Sequence, residues 1–188
     1  LTSLKYFFNQ LNAKIYKAEK IDTHGGSLRV YVSKNKNKKD TDSIKKILRD
    51  EEKFGIKKFE TYEKFAEKIY KIKKNVLRNL NKIKKNTNKI IGYGSPAKAT
   101  TALNFFGISK EIDCIIEDNK LKQGKFLPGV NIPIVNNKKK INQNSSLLIL
   151  AWNFFDEIKK KNKKNYKNII NVKSLEKENF FNESKKDN

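Results

Sequence analysis

The chain has no methionine, a single cysteine, a single histidine, a single tryptophan and only three prolines among its 188 residues. One cysteine, Cys114, rules out a disulfide within the chain and a cysteine-ligated zinc site. Its place inside the apolar run Ile112–Ile116 makes it a small core residue. Without methionine the expected start residue is missing, so the chain is expected to be a piece of a longer protein. An activity built across two domains would then be only half visible. Nowhere do about 18 apolar residues run together, as a bilayer span requires. The first residues also lack the basic-then-apolar pattern of a signal peptide. The expected compartment is the cytoplasm, with no membrane partner.

Positive charge is abundant: 43 basic against 20 acidic residues give a net +23. Such an excess ordinarily suggests a polyanionic partner. Here the lysines are scattered with asparagines, as in Asn35–Lys39, Lys82–Lys89, Lys138–Lys140 and Lys159–Lys164. Their spread matches a drift toward AT-rich codons and a solvated surface. No base-stacking aromatic array or nucleic-acid module accompanies them, which argues against a nucleic-acid partner. The apolar content, 37%, suffices for an ordinary core.

Periodicity organises the chain. Leu4, Phe7, Phe8 and Leu11 recur at helical spacing, followed by strand-like stretches 13–21 and 28–33 around Gly25-Gly26. Residues 1–40 are too few for a domain and would expose an apolar helix face, so they are expected to be the end of a preceding one. From Asp42 to Asn86 the pattern is helical: a short element with Ile44, Ile47 and Leu48, then a long stripe through Phe65, Ile69, Ile72, Val76, Leu80 and Ile83. Strands are expected at Lys89–Tyr93, Ile112–Glu117, Leu147–Ala151 and Asn168–Val172, with helices at Ala97–Phe106 and Phe154–Lys161. This alternation predicts an α/β fold with a parallel sheet and right-handed crossovers over 41–173. The polar stretch 174–188 is expected to fray.

Ligands of such sheets bind at the carboxyl ends of the strands, where the chemistry-bearing residues fall. In Gly92-Tyr-Gly-Ser-Pro-Ala-Lys98 an apolar strand runs through Gly92 and Gly94 into a helix opening at Ser95, Pro96 and Ala97. The glycines permit close backbone approach, and free N–H groups at the helix start favour phosphate or carboxylate. Lys98 either adds positive charge or points to solvent. Asp118 ends the second strand of the unit, where it grips a ribose hydroxyl or begins a turn. Trp152 and Asn153 follow the third strand, so that an indole stacks on a base or sugar beside an amide, or packs in the core. Glu157, one turn further, orients Asn153 or Lys98, or is merely solvated. Lys120 and Lys122 before Gly124 are surface lysines that phosphate could meet. In His24-Gly25-Gly26-Ser27-Leu-Arg29, amides, a hydroxyl and a guanidinium can converge on an oxyanion. His24, with an ordinary pKa near ~6.5, is the candidate for proton transfer.

These segments, with Glu117-Asp-Asn-Lys-Leu-Lys-Gln-Gly124, Pro128-Gly-Val-Asn-Ile-Pro133 and Leu150-Ala-Trp-Asn-Phe154, stand in an order that resembles the C-terminal domain of S-adenosylmethionine-dependent sugar C-methyltransferases. The resemblance covers about residues 1–172. It implies a Rossmann-like domain, preceded by a helix and hairpin from a methyltransferase domain, that helps hold a nucleotide-linked sugar. It also implies that S-adenosylmethionine and zinc are bound by N-terminal domains of the same polypeptide, with neither site complete here. The family's Tyr-x-Glu-His catalytic segment should lie just before Leu1. Ser95 replaces the family's usual alanine, a small change that leaves the turn intact. Two other classes remain open: a fragment of an NAD(P)-binding oxidoreductase, for which Ala97 is a tolerated variant of the third glycine, and a basic nucleic-acid-binding module.

Overall fold

In the computed structural model, residues 1–35, 37–136, 144–178 and 180 are described, with the side chain of His24 excepted. The chain divides into two compact units, Leu1–Glu67 and Lys68–Asn188.

In the first unit, helix α1 (Thr2–Gln10) precedes an antiparallel hairpin of β1 (Lys14–Ile21) and β2 (Ser27–Ser33), and helix α2 (Asp42–Phe54) follows. The sequence grouped residues 42–54 with the parallel sheet. Instead Ile44 and Ile47 of α2 share a core with Ile15 and Ala18 of β1. The α2 C-terminus is closed by Gly55 in the left-handed conformation (φ 76°), a usual way to satisfy the last carbonyls. Helix α1 leaves Phe7 and Leu11 exposed.

The long helix α3 (Phe59–Asn86) leads into the second unit. There β3 (Ile90–Tyr93), helix α4 (Ala97–Phe106), β4 (Cys114–Ile116), β5 (Ile134–Val135), β6 (Ser146–Ile149), helix α5 (Phe155–Asn162) and β7 (Asn168–Asn171) follow in turn. Five parallel strands pair in the order β5-β4-β3-β6-β7, a Rossmann-like α/β sheet. Both faces are buried, because the crossovers lay helices on each side. Ile90, Leu148 and Ile170 face Val76, Leu80 and Ile83 of α3 and Leu103 of α4. Ile91, Leu147 and Ile149 face Ile158 of α5.

Several expectations need correction. Strand β5 escaped the pattern because it is two residues long and follows Pro133, and the β4–β5 connection is a series of turns with no helix among them. The apolar stripe of α3 is buried only in its C-terminal half, while Phe65 is 60% exposed. The stretch from Ser174 does not fray as far as it is described. Residues Val172–Glu176 form a short 3-10 helix with Val172 and Leu175 buried, and Phe180 joins the same core. Asn79, itself buried, donates to the carbonyls of Leu175 and Lys177 (both 2.9 Å), and Asn75 donates to that of Glu176 (3.0 Å). Residues 181–188 lie outside the described part.

Candidate functional site

Strand order in the sheet reverses between β3 and β6, and the crevice beyond their carboxyl ends is where an open α/β sheet takes its ligand. Gly94 turns the chain out of β3 with φ +84°, its N–H donating to the Ile116 carbonyl (2.8 Å). The glycines of this turn answer first to packing. A Cβ on Gly94 would lie 2.7 Å from that of Ala151, and one on Gly92 would lie 2.9 Å from Ile115 and 3.1 Å from Leu150. Packing against Ile115, Leu150 and Ala151 is thus sufficient reason for glycine at both positions.

The donors beyond Gly94 are divided. Ser95, nearly buried, commits both its N–H and its hydroxyl to Glu117 Oε2 (2.9 and 2.6 Å), so this amide is not free as the sequence suggested. Lys122 completes the arrangement by donating to the Ser95 carbonyl (2.9 Å) and pairing with Glu117 (3.6 Å). Burial drives the Glu117 carboxyl upward, but the hydrogen bonds from Ser95 and Asn119 and the Lys122 charge outweigh it and hold the group below its ordinary value. An internal carboxylate thus sits where a phosphate would otherwise meet this turn. Helix α4 starts after Pro96 in extended conformation (φ −70°, ψ 158°), and the Ala97 and Lys98 N–H groups find no acceptor among the described residues.

Asp118 is exposed and accepts from the Tyr93 phenol (3.1 and 2.9 Å). Burial of Tyr93, together with that carboxylate, pushes the phenol up to about 12. Trp152 is half-buried and opens a 3-10 turn (Trp152–Phe154), with Asn153 exposed beside it. Two ammonium groups approach its ring: Lys98 Nζ at 5.8 Å from the centroid and Lys173 Nζ at 5.5 Å. Glu157 pairs with Lys161 (2.6 Å) on the exposed face of α5, which fits its solvated reading.

In the first unit the loop Thr23–Gly25 is a single 3-10 turn, closed by Gly26 and Ser27 donating to the Thr23 carbonyl (3.1 and 3.0 Å). Gly25 and Gly26 have left-handed φ values of 87° and 111°, and a Cβ on either would stand in open space. Arg29 is exposed on β2, opposite Glu19.

The structure therefore brings Gly94, Ser95, Pro96, Ala97, Lys98, Asp118, Trp152 and Asn153 to the carboxyl edge of one sheet. Sequence reasoning gave no role to Glu117, Tyr93 or Lys173. Glu117 and Lys122 flank one turn, a spacing that hints at their pairing. Lys173 has no local signal, because only the sheet carries it back to Trp152. Among the described residues no group of three or more His, Cys, Asp or Glu could hold a metal. No helix among the described residues is long and apolar enough to cross a membrane.

A family model described as the C-methyltransferase C-terminal domain matches residues 22–171. Among curated proteins, the chain is similar to C-methyltransferase NovU of Streptomyces niveus, with 29% identity over 161 residues. That alignment takes in 84% of this chain but 38% of the relative, so the chain spans well under half the length of the protein it matches.

Proposed function

Since the chain belongs to the C-methyltransferase C-terminal domain family, we propose that it holds the acceptor in an enzyme moving a methyl group from S-adenosylmethionine to a carbon of a nucleotide-linked sugar. The observation that carries this reading is the crevice at the β3–β6 switch point. Unpaired α4 amides, an exposed Asn153 and a half-buried indole flanked by two ammonium groups together suit a ligand with both phosphate and ring surfaces. The loop His24–Arg29 is the second proposed contact, with Arg29 offering a bidentate guanidinium and His24 a proton-transfer group. Methyl donor and zinc belong, in this reading, to other parts of the same polypeptide, in keeping with the greater length of the relative.

The acceptor reading is preferred to a nicotinamide dinucleotide on the family match, and titration with NAD separates the two.

The chain by itself is expected to give no product above background with labelled S-adenosylmethionine and a panel of nucleotide-linked keto sugars. Turnover at an ordinary enzymatic rate would contradict the division of labour. In calorimetry on the full-length polypeptide, Arg29→Ala should weaken binding of the sugar nucleotide by about 1.5–3 kcal/mol, the value of a charged hydrogen bond. Lys98→Ala should cost less. Unchanged affinity in both variants would place the acceptor elsewhere.

A further inference from the structure

We infer that residues 172–178, together with Phe180, are a strap that docks on α3 and lifts off it as a unit, and that its docked position sets the indole of Trp152 at the switch point. What the indole stacks on rests on the acceptor reading above, whereas the strap rests on its own contacts.

The polar hold of α3 on the strap is made on the strap's backbone. Asn79 donates to the carbonyls of Leu175 and Lys177 (both 2.9 Å), Asn75 to that of Glu176 (3.0 Å) and Arg78 Nη2 to that of Glu178 (2.9 Å). Successive carbonyls are thus addressed from one face of the helix, on which positions 75, 78 and 79 are neighbours. Arg78 also donates to Asn75 Oδ1 (3.1 Å), so it braces a second of these contacts. Val172, Leu175 and Phe180 plug into the core, while Lys173, Glu176, Lys177 and Glu178 stay exposed. The pair Lys71–Glu178 (3.2 Å) lies in solvent and adds little.

Such a hold is weaker than that of the sheet. Strands β3, β4 and β6 each have a hydrogen-bonded neighbour on both sides. The strap pairs with no strand among the described residues and has only these side-chain donors and three apolar plugs. Segments with few buried contacts open locally at less cost than a core strand, and release returns their backbone entropy. The hinge is Asn171, whose Oδ1 accepts from the Lys173 N–H (3.0 Å) and whose carbonyl accepts from the Ser174 hydroxyl (2.6 Å). Parallel register sets Asn171 beside Ile149, on the strand that runs on to Trp152. Lys173 Nζ therefore stands 5.5 Å from the indole centroid, and Trp152 packs against the same core that takes the three plugs. Undocking strips one side of the indole's surroundings. A ligand that stacks on the indole as docked binds the docked form better and, by reciprocity, stabilises the strap.

Native-state hydrogen exchange on the chain tests whether the strap opens as a unit. The Lys173 and Lys177 amides, bonded to Asn171 Oδ1 and the Ser174 carbonyl, should exchange together, with a weaker denaturant dependence than those of Ser146–Ile149. Exchange of both only through global unfolding would overturn the strap. Trp152 is the only tryptophan, so its emission and acrylamide quenching report its surroundings directly. Arg78→Ala, at an exposed position, and Asn79→Ala should each speed strap exchange, red-shift the emission and raise the quenching, with β6 still protected. Ile91→Val, which thins the core on the other face of the sheet, should leave emission and quenching unchanged. Faster strap exchange with unaltered emission, or an equal response in Ile91→Val, would overturn the link to the indole. On the full-length polypeptide, nucleotide-linked keto sugars should slow strap exchange and bind Arg78→Ala about fivefold more weakly. If a sugar binds and neither effect appears, the coupling falls and the acceptor reading stands. If no sugar binds while Arg78→Ala still shifts the emission of the chain, the strap stands and the acceptor reading falls.

Discussion

Gly94 combines a left-handed backbone with a neighbour that leaves no room for a side chain: φ is +84° and a Cβ would sit 2.7 Å from that of Ala151. Left-handed strain and overpacking act together in Gly94→Ala, which should destabilise the α/β unit by about 2–4 kcal/mol in denaturant unfolding. A loss under about 0.5 kcal/mol, the range of an inert surface change, would show that the turn relaxes freely. Glu117 supplies a pH-dependent effect at the same turn. Its folded-state pKa is depressed, so its stabilisation is present above the unfolded value of about 4.3 and drains away as pH falls through the folded one. Glu117→Gln should accordingly be less stable than the parent near neutrality, and the difference should shrink with acidification below about pH 4.3. A difference that grows on acidification would contradict the assignment.

Among the elements, the C-terminal 3-10 helix and α3 depend on each other. Two asparagines on α3 donate to three successive carbonyls at the end of the short helix, those of Leu175, Glu176 and Lys177. Asn79→Ala would remove both of its donations and leave the buried Leu175 carbonyl unsatisfied, at about 1–3 kcal/mol. The expected result is faster tryptic cleavage at Lys173 and Lys177 together with a lowered melting temperature. Unchanged protection of both lysines would show that Leu175 and Phe180 dock the segment by packing alone. Helix α4 is tied to the loop before β5 in a similar way. Asn104 Nδ2 donates to the Pro128 carbonyl (2.9 Å), and Gly129 lies so close that a Cβ would stand 1.9 Å from Asn104 Oδ1. Here glycine is required twice over, by its φ of +83° and by the side chain pressed against it.

At the scale of the whole molecule, the charge of +23 governs weak association more than structure. Lysines such as Lys20, Lys45 and Lys71 pair with exposed carboxylates across solvent, contacts that contribute little to stability. Retention of the chain on DNA duplexes should be independent of their sequence and should fall steeply as salt rises. A sequence-selective affinity that survives physiological salt would reinstate the nucleic-acid reading. Three separate cores, one around Ile15 and Ile44 in the first unit and one on each face of the parallel sheet in the second, mean that destabilising substitutions act within their own unit.

Sequence by itself determined the α/β class, most strands and helices of the second unit, and the residues that reach the switch point. Apolar runs such as Leu147–Ile149 can be buried only in a sheet covered on both faces, and glycine followed by proline after such a run marks a strand giving way to a helix. Tertiary structure decided what periodicity cannot encode. That Gly92 and Gly94 are kept small by Ile115, Leu150 and Ala151 depends on which strands become neighbours. The polar composition from Ser174 onward suggested fraying, because hydrogen bonds from Asn75 and Asn79 come from a helix about a hundred positions earlier in the chain. Glu117 and Ser95, like Lys98 and Lys173, become partners around one turn and one indole only when parallel pairing brings the carboxyl ends of β3, β4, β6 and β7 to the same edge. Local pattern fixes which residues end a strand, and the order of strands in the sheet fixes which of those ends meet.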